Sequence, residues 1–188
     1  MNYIYNESIW ISPFPRPMIA HMTFNFANKP IIGVEIGVFK GENAENILST
    51  LNIHKLFLVD SYVGYNQYID VLSKERLVDA LTIAQKRLFK HKDKICWLLE
   101  YSTVAYSQIA NLLDFVYIDG NHRHEYVWDD LMNYYPLVKS GGFIGGHDYF
   151  NDNSTGVKKA VDEFVLVNNL ELALGLQGIH SDWWIQKP

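Results

Sequence analysis

From Ile31 onward, short apolar runs alternate with longer stretches in which apolar residues recur every three or four positions. That alternation is the pattern of βαβ units wound around a parallel sheet. It predicts strands over Ile31–Ile36, Leu56–Val59, Lys94–Leu99, Phe115–Ile118 and Gly142–Gly146. Each is brief and apolar on both faces, as a sheet covered by helices on both sides requires. Helices are expected between them over Glu42–Leu51, Lys74–Phe89, Val104–Leu112 and Tyr126–Tyr135, and again over Gly156–Asn168. In the second, Leu77, Leu81, Ala84 and Leu88 fall on one face, while Lys74, Glu75, Asp79, Lys86 and Arg87 take the other. Two more short strands, around Leu170–Leu174 and Ser181–Gln186, close the series.

Residues 1–30 break this pattern. Pro13, Pro15, Pro17 and Pro30 lie here among Tyr3, Tyr5, Trp10, Phe14, Phe24 and Phe26. The prolines argue against regular structure. The expectation is an aromatic arm or lid over 1–30 followed by one domain over 31–188. Such an arm packs on the domain, covers a site, or exchanges with a second subunit, which leaves a homo-oligomer open.

Composition narrows the partners. With 48% hydrophobic and 20% charged residues in 188, the chain is an ordinary globule with one core. A formal charge of −5 argues against a nucleic-acid partner, whose phosphates demand clustered cations. The basic run from Lys86-Arg87 to Lys94 reads as the solvated end of a helix. A single cysteine, Cys96, excludes an internal disulfide and fits a reducing compartment. It lies in the run Ile95-Cys96-Trp97-Leu98-Leu99, as a buried inert thiol. No leader-like start and no stretch of membrane-spanning length is present. A cytoplasmic protein with a small-molecule partner, and neither nucleic acid nor membrane, is therefore expected.

The chemistry begins where the first strand ends. Val34-Glu35-Ile36-Gly37-Val38-Phe39-Lys40-Gly41 turns from a buried strand into a helix, and glycines at 37 and 41 allow backbone close to a ligand. The spacing is G-x-x-x-G, neither the G-x-G-x-x-G of dinucleotide folds nor a P-loop ending in Gly-Lys-Ser/Thr. A carboxylate at Glu35 repels phosphate and suits a cationic amino group. S-adenosylmethionine carries an ammonium and a sulfonium and no phosphate. Asp60, after the next strand and beside Ser61, stands where a carboxylate accepts ribose hydroxyls. Tyr101 and Ser102, after the third strand, fall where an adenine edge would lie, although Ser102 serves equally as a helix N-cap.

Asp119 follows the fourth strand, and His147-Asp148 the fifth, so all three reach the ligand-binding edge of the sheet. Carboxylates converging on one spot repel unless a proton or cation separates them, which points to Mg²⁺. His147, His122 and His124 widen the choice to softer divalent ions. Methyl transfer to a hydroxyl needs a base, and His122 or His147 is the candidate.

These pieces together resemble class I S-adenosylmethionine-dependent methyltransferases, of the compact stand-alone type related to sugar and natural-product O-methyltransferases. The resemblance rests on V-E-I-G-V-F-K-G, L-V-D-S-Y, the Y-I-D-G-N-H-R-H-E-Y-V-W-D-D-L run, L-V-K-S-G-G-F-I-G-G-H-D-Y, G-V-K-K-A-V-D-E-F and D-W-W-I-Q-K-P. It implies a doubly wound, Rossmann-like sheet of seven strands in the order 3-2-1-4-5-7-6, with strand seven antiparallel. It also implies a cofactor role for Glu35, Gly37 and Asp60 and a metal role for Asp119 and Asp148; the reading of the residues themselves adds Gly41, Ser61, Tyr101, Ser102 and Asp119 around the cofactor and His147 beside the metal. Related sequences carry an acid where this chain has Asn121, and another where it has His147. Two other readings stay open: a hydroxylase-like enzyme holding Fe²⁺ on the same fold, and a non-catalytic S-adenosylmethionine-binding protein. The acceptor is expected to meet the arm and the loop from Tyr62 to Ser73, with Tyr62, Tyr65 and Tyr68.

Overall fold

The computed structural model describes residues 15–63, 74–110, 112–150, 155–177 and 180–188. In chain order the elements are α1 (Pro17–Phe26), β1 (Ile31–Ile36), α2 (Glu42–Thr50), β2 (Ile53–Val59), α3 (Lys74–Leu88), β3 (Ile95–Leu98), α4 (Ser102–Ala105), β4 (Leu113–Ile118), α5 (His124–Tyr134), β5 (Val138–Gly146), α6 (Thr155–Asn168), β6 (Ala173–Gln177) and β7 (His180–Gln186). The seven strands form one sheet in the order β3-β2-β1-β4-β5-β7-β6. β1 to β5 run parallel, and β7 pairs antiparallel with both β5 and β6. The doubly wound, Rossmann-like order expected from the sequence is the observed one.

Alternation along each strand divides the core in two. Val34, Ile36, Val116, Ile118, Ile144, Trp183 and Ile185 face α5 and α6. Ile31, Leu56, Leu58, Phe115, Tyr117, Phe143 and Trp184 face the other way, with Met18, Ile19 and Met22 of α1 and Ile47 of α2. Burial of a large apolar side chain contributes about 1.5–3 kcal/mol relative to exposure. Strands apolar on both faces therefore hold the sheet between its helical layers.

The clearest departure from expectation is α1. Its prolines were expected to prevent regular structure, yet Pro17 stands at the start of a ten-residue helix. At that position the missing N–H costs nothing and the fixed φ suits a helix. Met18, Ile19 and Met22 are fully buried, so this half of the arm is part of the core. β5 also begins earlier than expected, at Val138. It runs through Gly141 and Gly142, where Gly141 N–H and Gly142 C=O pair with the backbone of Lys187. The helix expected over Val104–Leu112 is shorter, ending at Ala105 and continuing as a 3-10 turn over Tyr106–Gln108. Among the described residues, no helix is long and apolar enough to cross a membrane.

Candidate functional site

The glycine loop is built by contact between neighbouring strands. Gly37 has φ +85°, and a Cβ there would lie 2.2 Å from the carbonyl oxygen of Asp119. Gly37 N–H donates to Val59 O at 2.9 Å, and Asp119 N–H donates to Ile36 O at 2.8 Å. Glycine is thus required by the close approach of the β1 and β4 ends, before any ligand is considered. Gly41, at φ +77°, caps α2 with no side-chain partner for the helix N-terminus.

Glu35 projects from β1 into the layer between the sheet and α2 and is completely buried. Asn43 Nδ2 donates to its Oε1 at 2.9 Å. Its Oε2 has no partner among the described residues, nor has Asn43 Oδ1. Burial pushes the carboxyl up to about 8, against the Asn43 hydrogen bond, with Asp119 adding to the rise and Arg16 opposing it. Two buried acceptors without donors leave a place for a ligand that brings N–H groups.

Asp60 has a different task. Its Oδ2 accepts the N–H groups of Val38 and Phe39, both at 2.9 Å, and its Oδ1 accepts Tyr62 N–H at 2.9 Å. The acid expected to hold a ribose therefore also ties down the glycine loop. A carboxylate offers about four acceptor directions, so one is left after these three. The Tyr62 hydroxyl donates to Phe39 O at 2.8 Å and locks the same loop. Tyr62, expected to touch the acceptor, is spent on the scaffold; Tyr65 and Tyr68 lie outside the described residues. Ser61 turns back to the backbone of Val63.

Tyr101 occupies the N-cap of α4, the position weighed for Ser102, and provides no side-chain cap. Ser102 is hydrogen-bonded to Asp130 of α5, a buried acid whose carboxyl burial pushes up to about 7. The Tyr134 hydroxyl donates to Ser102 O at 3.0 Å. Ser102 is thus held from behind by α5.

At the carboxyl ends of β4 and β5, Asp119, His122 and Asp148 bring ligand atoms within 4.8 Å of one another. His122 Nε2 lies 3.1 Å from Asp148 Oδ2 and 3.9 Å from Asp119 Oδ1. Asp148 turns into place with φ +61°, a conformation that Asp tolerates better than most residues. Burial lowers the His122 pKa, but the two carboxylates outweigh it and raise the group above its ordinary value. Two carboxylates and one imidazole fit a divalent ion with mixed oxygen and nitrogen preference.

The trio differs from the expected one, because His147 turns elsewhere. Its Nδ1 lies 2.9 Å from Asp182 Oδ1, while its Nε2 is 3.9 Å from Asp148 Oδ1. His124 is further removed: it pairs with Glu163 at 2.8 Å and stacks on Trp128, joining α5 to α6.

Two residues that sequence reasoning missed complete the site. Arg16, just before α1, donates to Asp119 Oδ2 at 2.7 Å and to the Tyr117 hydroxyl at 3.1 Å. Burial alone would raise the Asp119 pKa. The Arg16 charge, with His122 and His147, outweighs that and holds the carboxylate well below its usual range. Asp182 on β7 accepts from Met18 N–H at 3.0 Å and from the Tyr117 hydroxyl at 2.9 Å. A charged residue facing inward in the apolar run Ser181-Asp182-Trp183-Trp184-Ile185 was the available signal for Asp182. Arg16, lying among prolines, gave none.

Comparison with known proteins agrees with this architecture. An uncharacterized protein, R132, of Acanthamoeba polyphaga mimivirus is 22% identical over 134 residues, which are 70% of this chain and 58% of that protein. The chain thus spans a little over half the length of that relative. The O-methyltransferase NovP superposes with a TM-score of 0.67 at 21% identity, covering 91% of this chain and 78% of NovP. The S-adenosylhomocysteine-bound methyltransferase PaMTH1 of Podospora anserina gives 0.65 at 12% identity, covering 91% and 78%. The family model described as "Methyltransferase domain" matches residues 34–149, from β1 through the Asp148 turn. With more than half of its length matched, the chain belongs to the methyltransferase domain family.

Proposed function

We propose that this protein transfers the methyl group of S-adenosylmethionine to a hydroxyl of a small acceptor, a sugar or other hydroxylated natural product, with help from a divalent ion. The observation that carries this reading is the convergence of Asp119, His122 and Asp148 on one edge of the sheet, next to the glycine loop. The unpartnered Glu35 Oε2 and Asn43 Oδ1 suit an ammonium group, directly or through water. Asp60 retains one acceptor direction for a ribose hydroxyl, and Ser102 and Tyr101 lie after β3 on the adenine side.

A divalent ion held by Asp119, His122 and Asp148 would lower the pKa of an acceptor hydroxyl nearby. His147, on the same rim, would take the acceptor's proton; S-adenosylmethionine, when bound, would supply the methyl group and leave as S-adenosylhomocysteine. Arg16 keeps Asp119 ionised for this work by holding its Oδ2.

Calorimetric titration with S-adenosylhomocysteine, and labelled methyl transfer from S-adenosylmethionine to small-molecule extracts with Mg²⁺ or chelator, test the proposal. Binding lost in Glu35→Ala and Asp60→Ala, and transfer stimulated by Mg²⁺, are expected. Iron in protein purified without added metal, with no transfer, would favour the hydroxylase-like reading. Absence of cofactor binding in the wild type would end both.

A further inference from the structure

Asp182 is placed like a carboxylate that sets the state of a histidine. It lies on β7, an antiparallel strand remote in sequence from the glycine loop and the β4 and β5 ends, and its side chain has no solvent exposure. Its Oδ2 is occupied by Met18 N–H at the start of α1. Its Oδ1 faces both the Tyr117 hydroxyl, which donates to it, and His147 Nδ1. A carboxylate oxygen can only accept, so the geometry requires a proton on His147 Nδ1. In the neutral ring the lone pair then sits on Nε2, which lies 3.9 Å from Asp148 Oδ1.

The backbone on which this ring is mounted is also tied to β7 and β4. His147 N–H donates to Ile118 O at 3.1 Å, and Trp183 Nε1 donates to His147 O at 3.3 Å. Tyr149 N–H donates to Ser181 O at 3.1 Å. The position of the imidazole is therefore set from β4 and β7 together, and its rotation by Asp182 of β7. Burial makes such a hydrogen bond stronger than it would be in water.

We infer that Asp182 is the positioning residue of the site: through the Asp182 Oδ1–His147 Nδ1 contact it holds His147 in the Nδ1–H tautomer, with Nε2 presented to the acceptor as proton acceptor. The functional half of this statement rests on the methyltransferase reading above. The tautomer itself does not.

Asp182→Asn is the informative variant, since it keeps the shape and removes one acceptor. The buried Met18 N–H must keep its partner, which aligns the amide oxygen with α1. The amide nitrogen then faces Tyr117 and His147 as a donor, so His147 Nδ1 must become the acceptor and Nε2 must carry the proton. The wrong tautomer of the analogous histidine in serine proteases has the same origin.

The full chain, with ¹⁵N-labelled histidine and chelator present, is measured by long-range ¹H–¹⁵N correlation spectroscopy of the imidazoles. His147→Gln serves to assign the signals. His147 is expected as Nδ1–H in the wild type and as Nε2–H in Asp182→Asn. Methyl transfer in the extract assay is expected to fall at least tenfold in Asp182→Asn, with the S-adenosylhomocysteine dissociation constant changed less than threefold. An Nε2–H wild type, or a folded Asp182→Asn with an unchanged tautomer, overturns the inference. If Asp182→Asn fails to fold, the wild-type tautomer alone decides. Lack of S-adenosylhomocysteine binding by the wild type would remove the methyltransferase reading and leave the tautomer result standing.

Discussion

The two rims of the site are built on opposite plans. On the β1–β2 side, Glu35 and Asp60 are served by groups within 25 residues: Asn43 for the first, and the N–H groups of Val38, Phe39 and Tyr62 for the second. On the β4–β5–β7 side, Asp119, His122, His147, Asp148 and Asp182 are joined to Tyr117 and Arg16, which span most of the chain. The first rim holds a carboxyl that burial keeps neutral up to about 8. The second holds Asp119, whose carboxyl the Arg16 charge, with His122 and His147, keeps ionised against burial. Local hydrogen bonds thus leave the first rim with acceptors to spare, whereas long-range charge pairing makes the second an edge whose parts depend on one another.

The contrast is broken most strongly at Glu35. Its carboxyl is neutral in the folded protein up to about pH 8 but ionises near 4.5 when the chain unfolds. Between these values the folded state holds the extra proton, so stability falls as pH rises from about 4.5 to about 8 and levels off above. Fully developed, the effect is on the order of 5 kcal/mol. Urea denaturation of wild type and Glu35→Gln at pH 5 and pH 8.5 is expected to show this loss in the wild type, with a clearly flatter pH dependence in the variant.

Next comes the pair that anchors the other rim. Arg16→Met strands Asp119 and removes a donor from Tyr117, both partly or fully buried. A loss of about 2 kcal/mol is expected in denaturant titration, with the His122 and His147 imidazole signals shifted as well. Arg16→Lys should recover only part of it, because both hydrogen bonds leave from Nη1 of the longer guanidinium and a compact ammonium is more strongly hydrated and costs more to bury there.

A smaller effect separates the two tasks of Asp60. Asp60→Asn keeps one acceptor oxygen, for Val38 and Phe39 N–H, but sets an amide NH2 against Tyr62 N–H and loses the charge, and S-adenosylhomocysteine affinity should fall about tenfold, or about 1.4 kcal/mol. Tyr62→Phe loses only the hydrogen bond to Phe39 O, at about 1 kcal/mol of stability. Phe24→Ser, on the exposed face of α1, should change stability by less than about 0.5 kcal/mol, since 87% of that residue is in solvent.

The same contrast explains what the sequence made legible. Strands buried on both faces read as apolar runs, so the sheet and its order followed from pattern and resemblance. The β1–β2 rim lies within one motif and its neighbour, and its residues were nameable. The β4–β5–β7 rim was nameable only where the acids and histidines cluster, at Asp119, His122, His147 and Asp148. Which histidine joins the carboxylates depends on Asp182, and that depends on β7 returning antiparallel beside β5. α1 was hidden by its prolines, although Met18, Ile19 and Met22 recur at helical spacing just after Pro17, where a proline starts a helix rather than breaking one.

One titration bears most directly on the central claim that the glycine loop, Glu35 and Asp60 form the receptor for S-adenosylmethionine. S-adenosylhomocysteine is titrated calorimetrically into wild type at pH 7 in two buffers of different ionisation enthalpy. Saturable one-to-one binding with proton release is expected, because the Glu35 carboxyl, neutral before binding, ionises against the ligand ammonium. Glu35→Gln is expected to bind without that release. Absence of binding, or binding whose heat is the same in both buffers, would contradict the claim.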